Sequence, residues 1–123
     1  MSKKILIADD EQNIVISLEF LLKREGFEVF VAGDGESALQ LIAERRPDLV
    51  LLDVMMPKRN GYEVCQQIRA NSAWRETKVI MLTAKGREIE IAKGMGLGAD
   101  AYVTKPFSTG DLVAQAKDLL GVT

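Results

Sequence analysis

The sequence predicts an α/β fold in which a doubly wound, five-stranded parallel sheet carries helices on both faces. Short apolar runs alternate with longer helical patterns five times along the 123 residues. Such alternation is typical of parallel strands joined by crossover helices. A chain of this length is also sufficient for one domain with its own hydrophobic core. We therefore predict a single domain over residues 1–123.

The polarity of the five apolar runs predicts their order in the sheet. The first, third and fourth runs are continuously apolar, as expected of central parallel strands buried on both faces. The second, "FEVFV", and the fifth, "AYVT", mix in polar or amphipathic residues, which suits edge strands. This pattern favours the order 2-1-3-4-5 over 3-2-1-4-5. The predicted strands are Lys4–Ala8, Phe27–Ala32, Asp48–Asp53, Lys78–Thr83 and Ala101–Thr104.

Five helical segments are predicted between and after these strands. The first carries an apolar face and ends at Gly26, the second begins after "GDGE", and the third follows "NGYE". The fourth, at about residues 85–96, contains Gly86 and Gly94, which lower helix stability. Ser108 is predicted to cap the fifth helix and Gly121 to end it.

The composition argues against several classes of partner. The chain is 47% hydrophobic and 28% charged, with a net charge of −2, so neither nucleic acid nor an anionic membrane is an expected direct partner. No segment approaches the roughly 20 apolar residues of a membrane span. The apolar stretch near the N-terminus is shorter than the roughly 7–15 residues of a signal peptide core. The single Cys65 suits a reducing compartment, and we expect a cytoplasmic location.

Charged residues are concentrated where the predicted strands end. Asp9 and Asp10 follow the first strand, Asp53 ends the third, and Lys105 follows the fifth. Right-handed crossovers put the topological switch point between the first and third strands, and ligands of such sheets bind there, beyond the carboxyl ends. The chain contains no histidine, so these carboxylates form a hard oxygen site that best matches Mg²⁺. A divalent cation would also offset the repulsion between neighbouring acids, about 1 kcal/mol in water at 4 Å.

Each of these residues alone has an ordinary structural explanation. Acidic residues favour helix N-caps and first turns, a lysine after an edge strand is usually solvated, and Thr83 could simply fill a strand position. Capping, however, explains neither Asp53 nor Lys105. The register of Lys105 predicts that its ammonium pairs with a carboxylate or phosphate oxygen. Thr83, at the end of the fourth strand, is predicted to bond an anion in the same pocket.

The ordered motifs "ADDE", "LVLLDVMMPKRNGYEV", "VIMLTA" and "GLGADAYVTKPF" closely resemble the receiver domain of two-component response regulators, the CheY-like family. The resemblance extends from about residue 3 to residue 120. It implies a flavodoxin-like (βα)5 fold, and the order 2-1-3-4-5 is already known for CheY.

The resemblance implies a metal site and a phosphoacceptor. Asp53 corresponds to the residue that takes the phosphoryl group. Asp9 and Asp10 correspond to the metal-site acids, with Asp10 as the expected direct ligand of Mg²⁺. Met55 is expected to contribute its backbone carbonyl.

Three further residues receive roles from the resemblance. Lys105 is expected to pair with the phosphoryl oxygens, across a cis bond to Pro106. Thr83 and Tyr102 match the switch positions of the family. The surface formed by the fourth helix, fifth strand and fifth helix is expected to change on phosphorylation and to control an output.

The implied activity is that of a signalling switch, not of an enzyme with a separate substrate. Asp53 is expected to take the phosphoryl group from a phosphohistidine of a sensor histidine kinase or histidine phosphotransfer protein, because this chain has no histidine. The chain is expected to assist its own phosphorylation and dephosphorylation. Its output partner is expected to be an effector protein or a fused output domain outside this chain.

Three alternatives share parts of this pattern. A hydrolase of the haloacid-dehalogenase type requires a second Asp two residues after the nucleophile, where this chain has Met55. A flavodoxin-like FMN carrier requires a phosphate loop after the first strand, where "DDEQN" would repel phosphate. A receiver domain that is never phosphorylated and serves only as an interaction module is the remaining alternative.

Overall fold

The computed structural model confirms five parallel strands in the order β2-β1-β3-β4-β5. It describes residues 2–84, 96 and 98–122. Each strand agrees with its predicted bounds to within one residue at either end. The strands are β1 (Lys4–Ala8), β2 (Glu28–Ala32), β3 (Leu49–Asp53), β4 (Lys78–Ala84) and β5 (Ala101–Lys105).

The strands β3 and β5 each differ by one residue from the prediction. Asp48 precedes β3, and its side chain accepts a hydrogen bond from the backbone N–H of Lys4 at 2.8 Å. Lys105 belongs to β5 because it lies in register opposite Ala84 of β4. The lysine is therefore part of the sheet, and its position is fixed by the ladder.

Helices connect the first four strands and follow the fifth, as the sequence predicts. The second and third helices begin at Gly35 and Gly61, within the motifs "GDGE" and "NGYE" and therefore earlier than predicted. The reason is capping, because the side chains of Asp34 and Asn60 accept hydrogen bonds from the backbone N–H groups of Ser37 and Glu63. The predicted helix at about 85–96 lies outside the described residues apart from Gly96. None of the helices in the described part of the chain has the length and hydropathy that crossing a bilayer requires. The helices are α1 (Gln12–Arg24), α2 (Gly35–Arg45), α3 (Gly61–Ala70), a short 3-10 helix (Ser72–Trp74) and the C-terminal helix (Thr109–Leu120).

The sheet separates two hydrophobic cores. One core packs α2 and α3 against side chains such as Leu52 and Met81, both fully buried. The other packs α1 and the C-terminal helix against side chains such as Ile7 and Leu51, also fully buried. Alternate residues of each strand therefore face different helix pairs.

The parallel register brings the functional candidates to one edge of the sheet. Asp53 lies opposite Leu82, and Thr83 lies opposite Thr104. By alternation, Asp53 and Lys105 continue the face that packs against α1 and the C-terminal helix. Thr83 continues the opposite face, which packs against α2 and α3.

Gly61 fixes the loop that follows Asp53. Its backbone N–H donates to the carbonyl of Val54 at 2.9 Å. A Cβ atom at Gly61 would lie 2.4 Å from the carbonyl oxygen of Asp53 and 2.9 Å from the Cα of Val54. Only glycine permits this approach, so the start of α3 is held directly against the end of β3.

We expect Gly61→Ala to lower the free energy of unfolding by about 1–3 kcal/mol, because the added methyl overpacks against backbone that cannot rotate away. Gly33→Ala is the matched control, because a Cβ there meets no atom within 4 Å. It should change stability by less than about 0.5 kcal/mol. Urea denaturation of both variants checks this, and equal stabilities would contradict the steric argument.

Candidate functional site

Three carboxylates meet at the carboxyl edge of the sheet. Asp9, Asp10 and Asp53 each offer an oxygen, and these oxygens all lie within 4.8 Å of one another. Asp9 and Asp53 are buried, at 2% and 4% exposure, whereas Asp10 is exposed. β1 and β3 are neighbours in the sheet, so their ends place the acids at the predicted switch point.

Lys105 brings one positive charge into this cluster. Its Nζ lies 2.7 Å from an oxygen of Glu11, 3.1 Å from Oδ2 of Asp9 and 3.5 Å from Oδ1 of Asp53. The side chain is only 15% exposed. The peptide bond from Lys105 to Pro106 is cis, as the resemblance implies.

The Asp9 carboxylate is only half satisfied by hydrogen bonds. Its Oδ1 accepts from the backbone N–H of Glu11 at 2.8 Å. Its Oδ2 is buried and has no hydrogen-bond donor of good geometry among the described residues, although the ammonium of Lys105 lies 3.1 Å away. A buried oxygen in this state calls for a further partner. An oxygen cluster of this kind fits Mg²⁺, which binds carboxylate oxygens and keeps several of its waters.

The cluster brings three carboxylates together with the one ammonium of Lys105, and the pKa of Asp53 is raised. Burial, and next the negative charge of Asp9, raise the pKa of Asp53 to about 7, although Lys105 acts in the opposite direction. Burial alone lowers the pKa of Lys105, but its contacts with Glu11, Asp53 and Asp9 outweigh burial and leave that pKa raised. The ammonium is therefore charged at neutral pH, whereas burial and the charge of Asp9 oppose the ionisation of Asp53.

The loop after β3 also contacts Asp53. The backbone N–H of Met55 donates to Oδ1 of Asp53 at 3.3 Å, while the Met55 side chain is 61% exposed. This contact keeps the Met55 backbone close to the cluster. The role of its carbonyl as a metal ligand stays a prediction.

Thr83 and Tyr102 lie on the other face of the sheet. Thr83 is buried at 2% exposure, and no hydrogen bond within the described ranges joins it to Asp53. The hydroxyl of Tyr102 donates to the hydroxyl of Tyr62 at 3.1 Å, and the Tyr102 ring packs against the core beneath α2 and α3. The predicted switch residues therefore share a face, while Asp53 and Lys105 share the opposite one.

Sequence reasoning gave no site role to Glu11 or Tyr62. Glu11 reaches Lys105 across 94 residues of sequence, and Tyr62 reaches Tyr102 across 40. The available signal for Glu11 was its place as the third acid of "ADDE". For Tyr62 the motif "NGYE" predicts only a helix start, so its hydroxyl contact needed the structure.

The sequence model of the response regulator receiver domain matches residues 5–117. A protein from Chloroflexus aurantiacus described as a response regulator is 35% identical, with a TM-score of 0.92 and 98% and 99% of the two chains covered. The BeF3-activated receiver domain of DrrB is 37% identical, with a TM-score of 0.89 and the same coverage. These matches confirm the family resemblance and the fold class that the sequence predicts.

A third similar structure contains a metal ion. The receiver domain of a sensor histidine kinase from Pseudomonas aeruginosa is 26% identical, with a TM-score of 0.88 and 98% and 99% of the two chains covered. It holds a magnesium ion coordinated in its active site cleft.

We expect the stability of the metal-free protein to fall as pH rises from about 4 to about 7. In this window folded Asp53, with its raised pKa, binds more protons than the unfolded chain, whose Asp has a pKa of about 3.9. The contribution of Asp53 to the free energy of unfolding must then decrease with pH. Asp53→Asn should flatten this dependence and make the metal-free protein more stable than the native one at pH 8.

Urea denaturation in a metal chelator, repeated across that pH range, measures the effect. The exposed Asp118 supplies the control, because Asp118→Asn should leave the slope unchanged. A native protein whose stability follows the same curve as Asp53→Asn would contradict the raised pKa of Asp53.

Proposed function

The chain belongs to the family of response regulator receiver domains, whose sequence model spans residues 5–117, and on that premise we propose that it is a phosphoacceptor switch. In this proposal Asp53 takes a phosphoryl group from a phosphohistidine of a sensor histidine kinase or histidine phosphotransfer protein. The observation that carries the proposal is the meeting of Asp9, Asp10 and Asp53 with the ammonium of Lys105.

Transfer requires an ionised Asp53 held in line with the phosphorus atom. A carboxylate oxygen of Asp53 forms the new O–P bond while the N–P bond of the phosphohistidine breaks and the imidazole keeps the electron pair. Lys105, 3.5 Å from Asp53 before transfer, offers an ammonium that neutralises charge on the phosphoryl oxygens. The hydrogen bond from Met55 N–H orients the Asp53 carboxylate.

Asp9, Asp10 and Asp53, with the carbonyl of Met55, are the residues that we propose to hold Mg²⁺, Asp10 being a direct ligand. A bound ion would supply positive charge beside the transferring phosphoryl oxygens. It would also favour the ionised form of Asp53, whose pKa is raised by burial and by the charge of Asp9. The magnesium ion in the similar domain from Pseudomonas aeruginosa supports this assignment.

The output is proposed to be a change of surface coupled to Asp53. Thr83 and Lys105 lie at the ends of β4 and β5, so a phosphoryl group on Asp53 is expected to draw both strand ends inward. Thr83 and Tyr102 share one face of the sheet, which supports a coupling between them. The responding surface comprises the predicted helix at 85–96, which lies outside the described residues, together with β5 and the C-terminal helix.

The remaining parts of the proposal concern context. The chain is proposed to be one receiver domain over residues 1–123 that acts through an effector protein or a fused output domain. It is proposed to have no direct nucleic-acid or membrane contact and to catalyse only its own phosphorylation and dephosphorylation. A cytoplasmic location suits the buried free thiol of Cys65.

We expect Mg²⁺ to raise the melting temperature, because an ion that binds only the folded state stabilises it. The linkage gain is about 2.7 kcal/mol at 100 times Kd. Asp10→Ala should lose most of this increase, whereas Asp118→Ala, at an exposed position of the C-terminal helix, should retain it. Thermal scans with and without millimolar Mg²⁺ measure this effect. A melting temperature of the native protein that is unchanged by Mg²⁺ would refute the metal site.

Acetyl phosphate with Mg²⁺ is expected to add one phosphoryl group to Asp53. Intact-mass spectrometry should show a single adduct that hydroxylamine removes, since an acyl phosphate is labile to this nucleophile. Asp53→Asn should abolish the adduct, and Asp118→Asn should not affect it. A full adduct in Asp53→Asn, or a label mapped to a serine, a threonine or Asp9, would overturn the assignment.

The same samples test the proposed switch. Amide NMR spectra of the native protein with Mg²⁺ and beryllofluoride should change at β5 and the C-terminal helix as well as around Asp53. In Thr83→Ala the changes around Asp53 should remain and the distant ones should largely disappear. Distant changes of native size in Thr83→Ala would show that Thr83 does not couple them.

A further inference from the structure

Glu11 occupies the N-cap position of α1 but does not cap the helix. Its backbone is extended, at φ −88° and ψ 102°, and its side chain accepts no hydrogen bond from the first turn. Ser, Thr, Asp and Asn are the residues whose side chains usually cap this position. The Glu11 carboxylate instead contacts the ammonium of Lys105 at 2.7 Å.

The ammonium of Lys105 is held closer to Glu11 than to the proposed phosphoacceptor. Its distance to Asp53 is 3.5 Å, beyond the usual range of an N–H···O hydrogen bond, whereas the Glu11 contact is short. The Lys105 side chain is 15% exposed and that of Glu11 is 56% exposed. The ammonium also lies 3.1 Å from the buried Oδ2 of Asp9, so the short Glu11 contact is the one that directs it toward the rim of the site.

Both ends of this contact are anchored. The backbone N–H of Glu11 donates to Oδ1 of Asp9, which ties Glu11 to the metal-site acids. Lys105 lies within the sheet ladder opposite Ala84. Because both backbones are held in place in the unphosphorylated site, the side-chain contact between Glu11 and Lys105 is the first part that a new anion can change.

We propose that Glu11 is a positioning residue that holds the Lys105 ammonium at the rim of the unphosphorylated site and thereby weakens the binding of a phosphoryl group at Asp53. The inference rests on the proposed phosphoacceptor function. An ammonium that engages phosphoryl oxygens must give up at least part of its contact with Glu11. Glu11 thus stabilises the resting arrangement selectively, and an equilibrium shifts only by such differential interaction.

The size of the effect follows from the exposure of Glu11. Exposed ion pairs contribute little free energy. Loss of the Glu11 contact is therefore expected to change the affinity for a phosphoryl analogue by about 1.5- to 5-fold. Loss of a negative charge near the site would by itself favour anions, whether or not Glu11 touches Lys105. The test must therefore separate the contact from the charge.

The effect of the contact is separated from the effect of the charge by comparing four proteins: native, Glu11→Gln, Glu11→Asp and Glu19→Gln. Glu11→Asp keeps the charge but is one methylene shorter, so it loses the short contact. Glu19→Gln removes an acid of α1 that pairs with Lys23 at 3.0 Å, and it serves as the matched control. The probe is beryllofluoride at saturating Mg²⁺, with the dissociation constant taken from amide NMR titrations.

We expect both Glu11 variants to bind beryllofluoride about 1.5- to 5-fold more tightly than the native protein, and Glu19→Gln to bind as the native protein does. Tighter binding in Glu11→Gln alone would assign the effect to charge and overturn the role of the contact. Unchanged or weaker binding in both Glu11 variants would also overturn it. Loss of Mg²⁺ affinity as large as that in Asp10→Ala would make Glu11 a metal ligand instead.

A second measurement does not depend on phosphorylation chemistry. In the metal-free protein, the ¹H–¹³C signal of the Lys105 ε-methylene should shift in both Glu11 variants and stay in place in Glu19→Gln. An unmoved signal in the Glu11 variants would overturn this inference while leaving the phosphoacceptor function intact. A native protein that binds no beryllofluoride would refute the phosphoacceptor function itself, and this inference with it.

Discussion

Mutual repulsion between two buried carboxylates is the constraint on which the rest of this structure depends. Asp9 and Asp53 are nearly inaccessible, and among the described residues the ammonium of Lys105 alone forms an ion pair with both. The parallel register forces this proximity, because β1 and β3 are neighbours, Asp9 directly follows β1 and Asp53 ends β3. Burying like charges costs stability. We therefore expect the site to bind cations more tightly than an equivalent set of solvated acids would.

The surroundings resist the relaxation that would otherwise relieve this repulsion. Gly61 presses the start of α3 against the backbone of Asp53. Gly35 packs equally closely on Arg59, where a Cβ atom would lie 2.0 Å from the carbonyl oxygen. Between these contacts Lys58 adopts a φ of 69°, an uncommon conformation for a residue with a side chain. Close backbone packing on both sides keeps the loop after β3 in one arrangement, as a preorganised site requires.

Hydrophobic pattern was enough to predict the sheet, because buried parallel strands must be apolar on both faces. That requirement separates "LVLLD" from "FEVFV" and so gives the strand order. The main acids and Lys105 could also be located, because each follows a strand directly. Contacts made by long side chains were not predictable in this way. Glu11 reaches Lys105, and Tyr62 reaches Tyr102, through side chains whose directions depend on the packed structure.

The contacts of Arg69, at the opposite edge of the sheet, could not be predicted from the sequence either. Its guanidinium donates to the carbonyls of Gly98 and Thr77 and pairs with Asp100 at 2.8 Å. The Asp100 carboxylate also accepts from the backbone N–H of Val79, so one side chain links α3 to the starts of β4 and β5. A helical pattern places Arg69 near the end of α3 but does not reveal these partners. The geometry of three separate segments determines them.

Strand β5 connects the two faces that the proposed switch must couple. Lys105 continues the face of Asp53, while Tyr102 lies on the opposite face with Thr83. Because successive side chains of a strand point to opposite faces, a displacement of one end of β5 moves groups on both faces together. Proposed coupling between Asp53 and Tyr102 therefore needs no separate chain of side-chain contacts. It is sufficient that β5 moves as a rigid strand between two positions, one favoured by the phosphoryl group on Asp53 and the other by the Glu11 carboxylate.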